Sequence, residues 1–164
     1  MPEHPENRGE PPARPPARPL APGAVVDRLE FTVERGKIRE FAKAAHAVDL
    51  VHTSPEEAAR RGLSHVAATA THVVVAGHHR DQKQMLATLG LDITRVVVGG
   101  TGWSYHRALI AGDELTGTRS LVSDEVKTSR SGRSLRIVTL NTDFTLADGT
   151  VAVSQRETLI ERGN

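Results

Sequence analysis

Thr69-Ala-Thr-His-Val-Val-Val-Ala-Gly-His-His-Arg-Asp-Gln-Lys-Gln-Met-Leu-Ala-Thr-Leu89 is the stretch on which the fold turns. Ala76, the polar run His78–Gln84 and the later apolar Met85, Leu86 and Leu89 read as one long helix stopped by Gly90. The Val73-Val74-Val75 run inside it is β-branched and pulls the other way. From Arg95 onward the pattern changes to alternation broken by turns, which predicts strands at Arg95–Tyr105, Glu114–Lys127, Ser134–Leu146 and Val151–Glu161. The intervening turns are Ala111-Gly112-Asp113, Ser129–Arg133 and Ala147-Asp148-Gly149, the last a strong hairpin signal. Upstream, Val25–Thr32 reads as a first strand, with Thr32 as the cap of the next helix and Glu34 in its first turn. Ile38, Phe41, Ala42 and Ala45 fall at i, i+3, i+4, i+7 and predict that this amphipathic helix covers Glu34–Ala45. Ser54-Pro55-Glu56-Glu57 opens a short second helix ending at Gly62. Strand, helices, one long helix and an antiparallel meander make an α+β class, packed most economically as a long central helix wrapped by a curved antiparallel β-sheet.

The 164 residues leave room for one domain. Lys plus Arg number 21 against 20 acids, so the formal charge is +1 and no nucleic-acid partner is expected. Cysteine is absent, which excludes disulfides, thiolate zinc sites and a Cys nucleophile. Without a signal-peptide core or an apolar run near 20 residues, no membrane association is expected and a soluble cytoplasmic protein is the default. Eight of the nine prolines lie within residues 2–22, where Pro-Pro-Ala-Arg occurs at Pro11–Arg14 and again at Pro15–Arg18. Proline lacks a backbone donor and favours extended chain, so 1–22 reads as a disordered tail, with a PxxP ligand as the alternative. Residues 23–164 then form a single domain.

Among the histidines, His65, His72 and His79 are spaced by seven and would form a stripe along a helix reaching back to His65. No i, i+4 histidine pair and no HExxH pattern occurs, so no metal and no cofactor is expected. Gly99-Gly100-Thr101-Gly102 lacks both the Walker lysine and the dinucleotide spacing, and inside a strand such glycines mark a bulge or a close approach. Trp103 and Tyr105 alternate onto one face beyond it, as core, interface or tunnel wall. Arg107 beside Asp113 reads as turn architecture. The basic run Lys127–Arg136 reads as a solvated hairpin, with docking of an acidic carrier or a phosphate as the alternative.

Three segments in order carry a family resemblance. Phe31-Thr-Val-Glu-Arg-Gly-Lys-Ile-Arg-Glu-Phe-Ala42 is similar to the opening strand and helix of MaoC-like dehydratases, which have the hot-dog fold. Tyr105-His-Arg-Ala-Leu-Ile-Ala-Gly-Asp-Glu-Leu115 resembles their Arg-x-Leu-x-x-Gly-Asp-x-Leu turn, and His46–Ala58 overlies their catalytic loop. The likeness spans 25–161 and is closest to the N-terminal MaoC-type dehydratase half, or stand-alone subunit. It implies an acyl thioester, on CoA or an acyl carrier protein (ACP), held beside the long helix. It also implies a hydro-lyase reaction, reversible dehydration of a 3-hydroxyacyl thioester to the 2-enoyl thioester in fatty-acid or polyketide-type biosynthesis. Such domains pair as a homodimer, or with a second hot-dog subunit as a heterodimer or heterotetramer.

Dehydration needs a base for the α-proton, an acid for the leaving hydroxyl and a stabilised enolate oxygen. The catalytic relatives supply the first two from Gly-Asp-x-Asn-Pro-x-His, followed six positions later by a small residue. Anchoring on His52 puts Ala58 at the small position, His46 at the glycine, Ala47 at the catalytic aspartate and Asp49 at the asparagine. His52 and Asp49 are therefore the candidate catalytic residues. The alternative makes His52 a vestige or a substrate-side wall, with the intact dyad carried by the partner. His72, at the start of the central helix, and Gly100, Trp103 and Tyr105 are the candidate substrate-binding residues. A non-catalytic acyl-binding module and a hot-dog thioesterase are the competing functions, and Ala68-Thr-Ala-Thr-His72 has no carboxylate for the latter.

Overall fold

Alternating burial along two long hairpins builds the sheet. The computed structural model describes residues 20–163. Its strands are β1 (Val25–Thr32), β2 (Val96–Tyr105), β3 (Glu114–Thr128), β4 (Ser134–Thr145) and β5 (Val151–Arg162). They form one sheet in the order β1-β3-β4-β5-β2, with every pairing antiparallel. On β3 the inward residues are Leu115, Gly117, Arg119 and Leu121, and on β4 they are Val138, Leu140, Thr142 and Phe144, one face at period two. Bulges between Leu121 and Ser123 on β3 and between Val98 and Gly100 on β2 bend the sheet. Gly117 gives the core room: a Cβ there would lie 3.0 Å from Phe144 and 3.1 Å from Leu29, and those side chains would have to give by a few tenths of an ångström. The strand and turn expectations hold to within a residue or two at each end.

The helices are α1 (Arg35–Ala44), α2 (Pro55–Arg60) and α3 (Gln82–Leu89), with 3-10 segments at Leu50–His52 and His72–His79. Ser54 caps α2 by accepting from Glu57 N–H, with Pro55 in the first turn as expected. α1 buries Ile38 and Ala42, but its cap position is Glu34, with no side-chain cap bond.

One expectation needs correction. The single helix over Thr69–Leu89 is two pieces: the 3-10 segment, an extended Arg80, then α3 capped by Asp81 and closed by left-handed Gly90. Two causes act together. The three valines and Gly77 weaken a regular helix, and Arg80 is drawn aside to pair with Asp27 of β1. Both side chains of that pair are largely buried, and burial next to the Arg119 charge lowers the Arg80 guanidinium to about 10, still protonated at neutral pH. Arg119, also buried, binds Glu157 at 3.1 Å and Thr142 Oγ1 at 3.0 Å. The break separates the two larger core clusters. His72, Val73 and Ala76 face the cluster of Phe31, Val33, Ile38 and Phe144, whereas Met85, Leu86 and Leu89 face Leu121, Val138, Leu140 and Leu159. The predicted histidine stripe goes with the continuous helix.

This α+β architecture is the hot-dog fold, its central helical layer in two segments against a curved sheet. Of the 1–22 tail reading, residues 1–19 lie outside the described residues. Leu20 packs against the second cluster and Gly23 N–H donates to Leu121 O at 2.7 Å. No helix among the described residues is long and apolar enough to cross a membrane.

Candidate functional site

The loop after α1 positions the site. At its start His46 takes φ +53°, the left-handed region that glycine enters freely. This is the position that the family register assigns to glycine. Asp49 then caps the Leu50–His52 turn, accepting from Val51 N–H at 3.0 Å. Arg61 grips the same carboxylate through two bonds of 2.9 Å each. The Val51 amide and then the Arg61 guanidinium hold Asp49 below the usual carboxylate range.

His52 is fixed from the other side. Its Nδ1 lies 2.8 Å from Ala67 O, while Ala67 N–H donates to Val51 O at 3.0 Å. A carbonyl only accepts, so Nδ1 carries the proton and Nε2 is left as the basic nitrogen. Ala58 is fully buried with Val51 and Ala67 beneath this turn, which is why the position is small. His52 lines a hollow of about 270 Å3 together with Arg35, Gly36, Arg39 and Thr53.

Among the described residues no hydrogen bond joins Asp49 to His52: the first is committed to Val51 and Arg61, the second to Ala67. Ala47, at the expected acid, offers only a methyl group. The loop therefore holds an oriented base and no acid bonded to it.

The substrate-binding candidates lie apart from that hollow. His72 is fully buried, with its ring 6.1 Å from Phe31 and edge-on to Phe41 at 5.5 Å. Among the described residues neither ring nitrogen has a hydrogen-bond partner, nor does the buried Thr69 Oγ1 just before it or Trp103 Nε1. Burial lowers the His72 pKa and keeps the ring neutral. Gly100 follows the β2 bulge and is open on its Cβ side, whereas Gly99 is the tight position, where a Cβ would meet Ile160 at 2.6 Å. Tyr105 is exposed at the sheet edge, and partial burial raises its pKa.

Sequence reading missed three arginines. Arg35 and Arg39 border His52, and their i, i+4 spacing on the exposed face of α1 was the available signal. Arg61 lies twelve residues from Asp49, a separation with no local signature. In the basic hairpin, Arg136 is occupied by Asp124 and by the last carbonyls of α3, Leu89 and Gly90.

Comparison with known proteins identifies the family and the fold. Residues 21–155 match the FAS1-like dehydratase domain region. A UPF0336 protein of Clavibacter michiganensis subsp. michiganensis is 34% identical over 152 residues, covering 91% of this chain and 98% of that protein. The C-terminally truncated HadBC (3R-hydroxyacyl-ACP dehydratase) complex from Mycobacterium tuberculosis superposes with TM-score 0.67 at 24% identity, covering 84% of this chain and 96% of that one. The (R)-hydratase from A. caviae involved in PHA biosynthesis gives 0.65 at 18%, covering 88% and 98%. At these identities the two structures share the fold.

Proposed function

The chain belongs to the FAS1-like dehydratase-region family, and from that premise we propose that it is one half of a 3-hydroxyacyl-thioester dehydratase, completed by a second hot-dog subunit. The observation that carries this reading is the uneven loop at 46–58: a histidine held with Nε2 free as base, Ala47 where the acid belongs, and Asp49 held by Arg61. In the reaction a base takes the C2 proton, the electron pair forms the C2=C3 double bond, and the C3 hydroxyl leaves as water with a proton from an acid. Lacking its acid, a lone loop of this kind forfeits about 10²–10⁴ in rate. The intact Asp/His dyad is therefore assigned to the partner, with His52 beside the substrate, and ACP or CoA carries the acyl group in fatty-acid or polyketide-type chain building. His72 and Trp103, whose buried nitrogens lack hydrogen-bond partners among the described residues, are the candidate contacts for the thioester.

The partner reading is supported by β2. It is ten residues long, lies at the sheet edge and is exposed along most of its length, with Val97, Val98 and Tyr105 each 41% exposed or more. Such an edge invites pairing with another strand, and a hot-dog relative is described as a complex of subunits. Ala47 and the engaged Asp49 equally favour a second reading, an acyl-binding module without turnover.

The test is hydration of an enoyl thioester by the purified chain alone and after co-expression with a hot-dog subunit bearing Gly-Asp-x-Asn-Pro-x-His. Turnover confined to the pair is expected. Thioester binding with no turnover in either setting would select the module.

A further inference from the structure

We propose that Arg35 and Arg39, beside His52, form an oxyanion site that holds the anionic group of the thioester substrate. This rests on the acyl-thioester reading above. Both arginines lie on the exposed side of α1, whose buried side is Ile38 and Ala42. One turn apart, they are neighbours at about 5–6 Å between Cβ atoms. Of the acids around them, Glu40 is engaged with Lys37, Glu57 with Arg60 and Arg61, and Asp49 with Arg61. Glu56 feels the Arg35 charge, but its carboxylate accepts from Ser54 Oγ at 2.7 Å. Among the described residues neither Arg35 nor Arg39 has a carboxylate within ion-pair distance, and both line the hollow of His52.

Two arginines bordering one hollow suit a planar or tetrahedral oxyanion, a carboxylate or a phosphate. The substrate class offers both, a phosphate on the pantetheine arm or a carboxylate on the acyl group. Arm length makes them mutually informative. Pantetheine is about as long as four extended residues and spans on the order of 14 Å, far more than a hollow of about 270 Å3 is wide. A phosphate bound here puts the thioester well away from His52 and leaves the chemistry to the partner, whereas an acyl carboxylate bound here brings the reacting carbons to His52.

The experiment is equilibrium binding of three ligands to the full chain: crotonyl-CoA with phosphates, crotonyl-pantetheine with no anion, and glutaconyl-pantetheine with an acyl carboxylate only. One anion-bearing ligand should bind roughly tenfold tighter than crotonyl-pantetheine, as expected for two exposed charge-assisted contacts. The advantage should shrink with added salt and vanish in R35Q/R39Q, while R130Q/R133Q on the β3–β4 hairpin retains it. Which ligand gains identifies the source of the anion. Equal binding of all three, or an advantage that survives R35Q/R39Q, overturns the site. Failure of every ligand to bind overturns the acyl-thioester reading, and this site with it.

Discussion

His52 and His72 border the same helix, α1, and are held in opposite ways. His52 is partly exposed, oriented by Ala67 O, and lines a hollow with two cations. His72 is sealed between Phe31 and Phe41, with neither nitrogen hydrogen-bonded among the described residues. Orientation by a hydrogen bond fixes which nitrogen can act on a substrate, whereas burial alone fixes only neutrality. The contrast separates a histidine oriented at the edge of an open hollow from one enclosed by the core, and it can be pressed at several points.

The largest effect is expected in stability. His72→Ala should lower unfolding free energy by about 2–4 kcal/mol, as for other large-to-small core changes. His52→Ala should cost only about 1 kcal/mol, one hydrogen bond. Denaturant midpoints of the two variants check this. His72→Leu, close in volume and free of unpaired nitrogens, should match or exceed the wild type at neutral pH, and a clear loss would mean that the ring has a polar partner.

Next in size is a gain of activity. Ala47→Asp supplies a carboxylate at the family's acid position, and the lone chain should then hydrate an enoyl thioester at least about tenfold faster than the unaltered chain, an increment well inside the range for general acid catalysis. Ala47→Asp combined with His52→Ala should show no gain. A gain without His52 would remove that histidine from the account.

The smallest effect is on pH dependence. Since burial lowers the His72 pKa, the unfolded chain takes up a proton below its ordinary value of 6.5 that the folded chain refuses. The His72 contribution is therefore full above pH 6.5, falls as the pH drops towards the depressed native value, and levels off below that. Thermal midpoints of wild type and His72→Leu should diverge in that acid window, the wild type losing more.

The strands were legible because alternation and turn chemistry are local: Phe144, Leu140 and Val138 announce one face, and Asp148-Gly149 its turn. The caps Ser54, Asp81 and Gly90 act over three residues or fewer, although only Ser54 and Gly90 were read as such. The break at Arg80 was hidden because its cause, Asp27, lies more than fifty residues away on another strand. In the site, the spacing of His52 and Ala58 was readable, but the bond to Ala67 and the grip of Arg61 on Asp49 exist only once the loop closes. Asp49 looked available from its distance in sequence to His52, and its engagement by Arg61 is a tertiary fact.

The central claim is that the reacting dyad belongs to the partner subunit. Its most direct measurement is the enoyl-thioester hydration rate of the assembled pair with each subunit's histidine replaced in turn by alanine. Loss of about 10²-fold or more on removing the partner's motif histidine, with a far smaller change for His52→Ala, is the predicted result. Abolition by His52→Ala, with the partner's histidine dispensable, would contradict it.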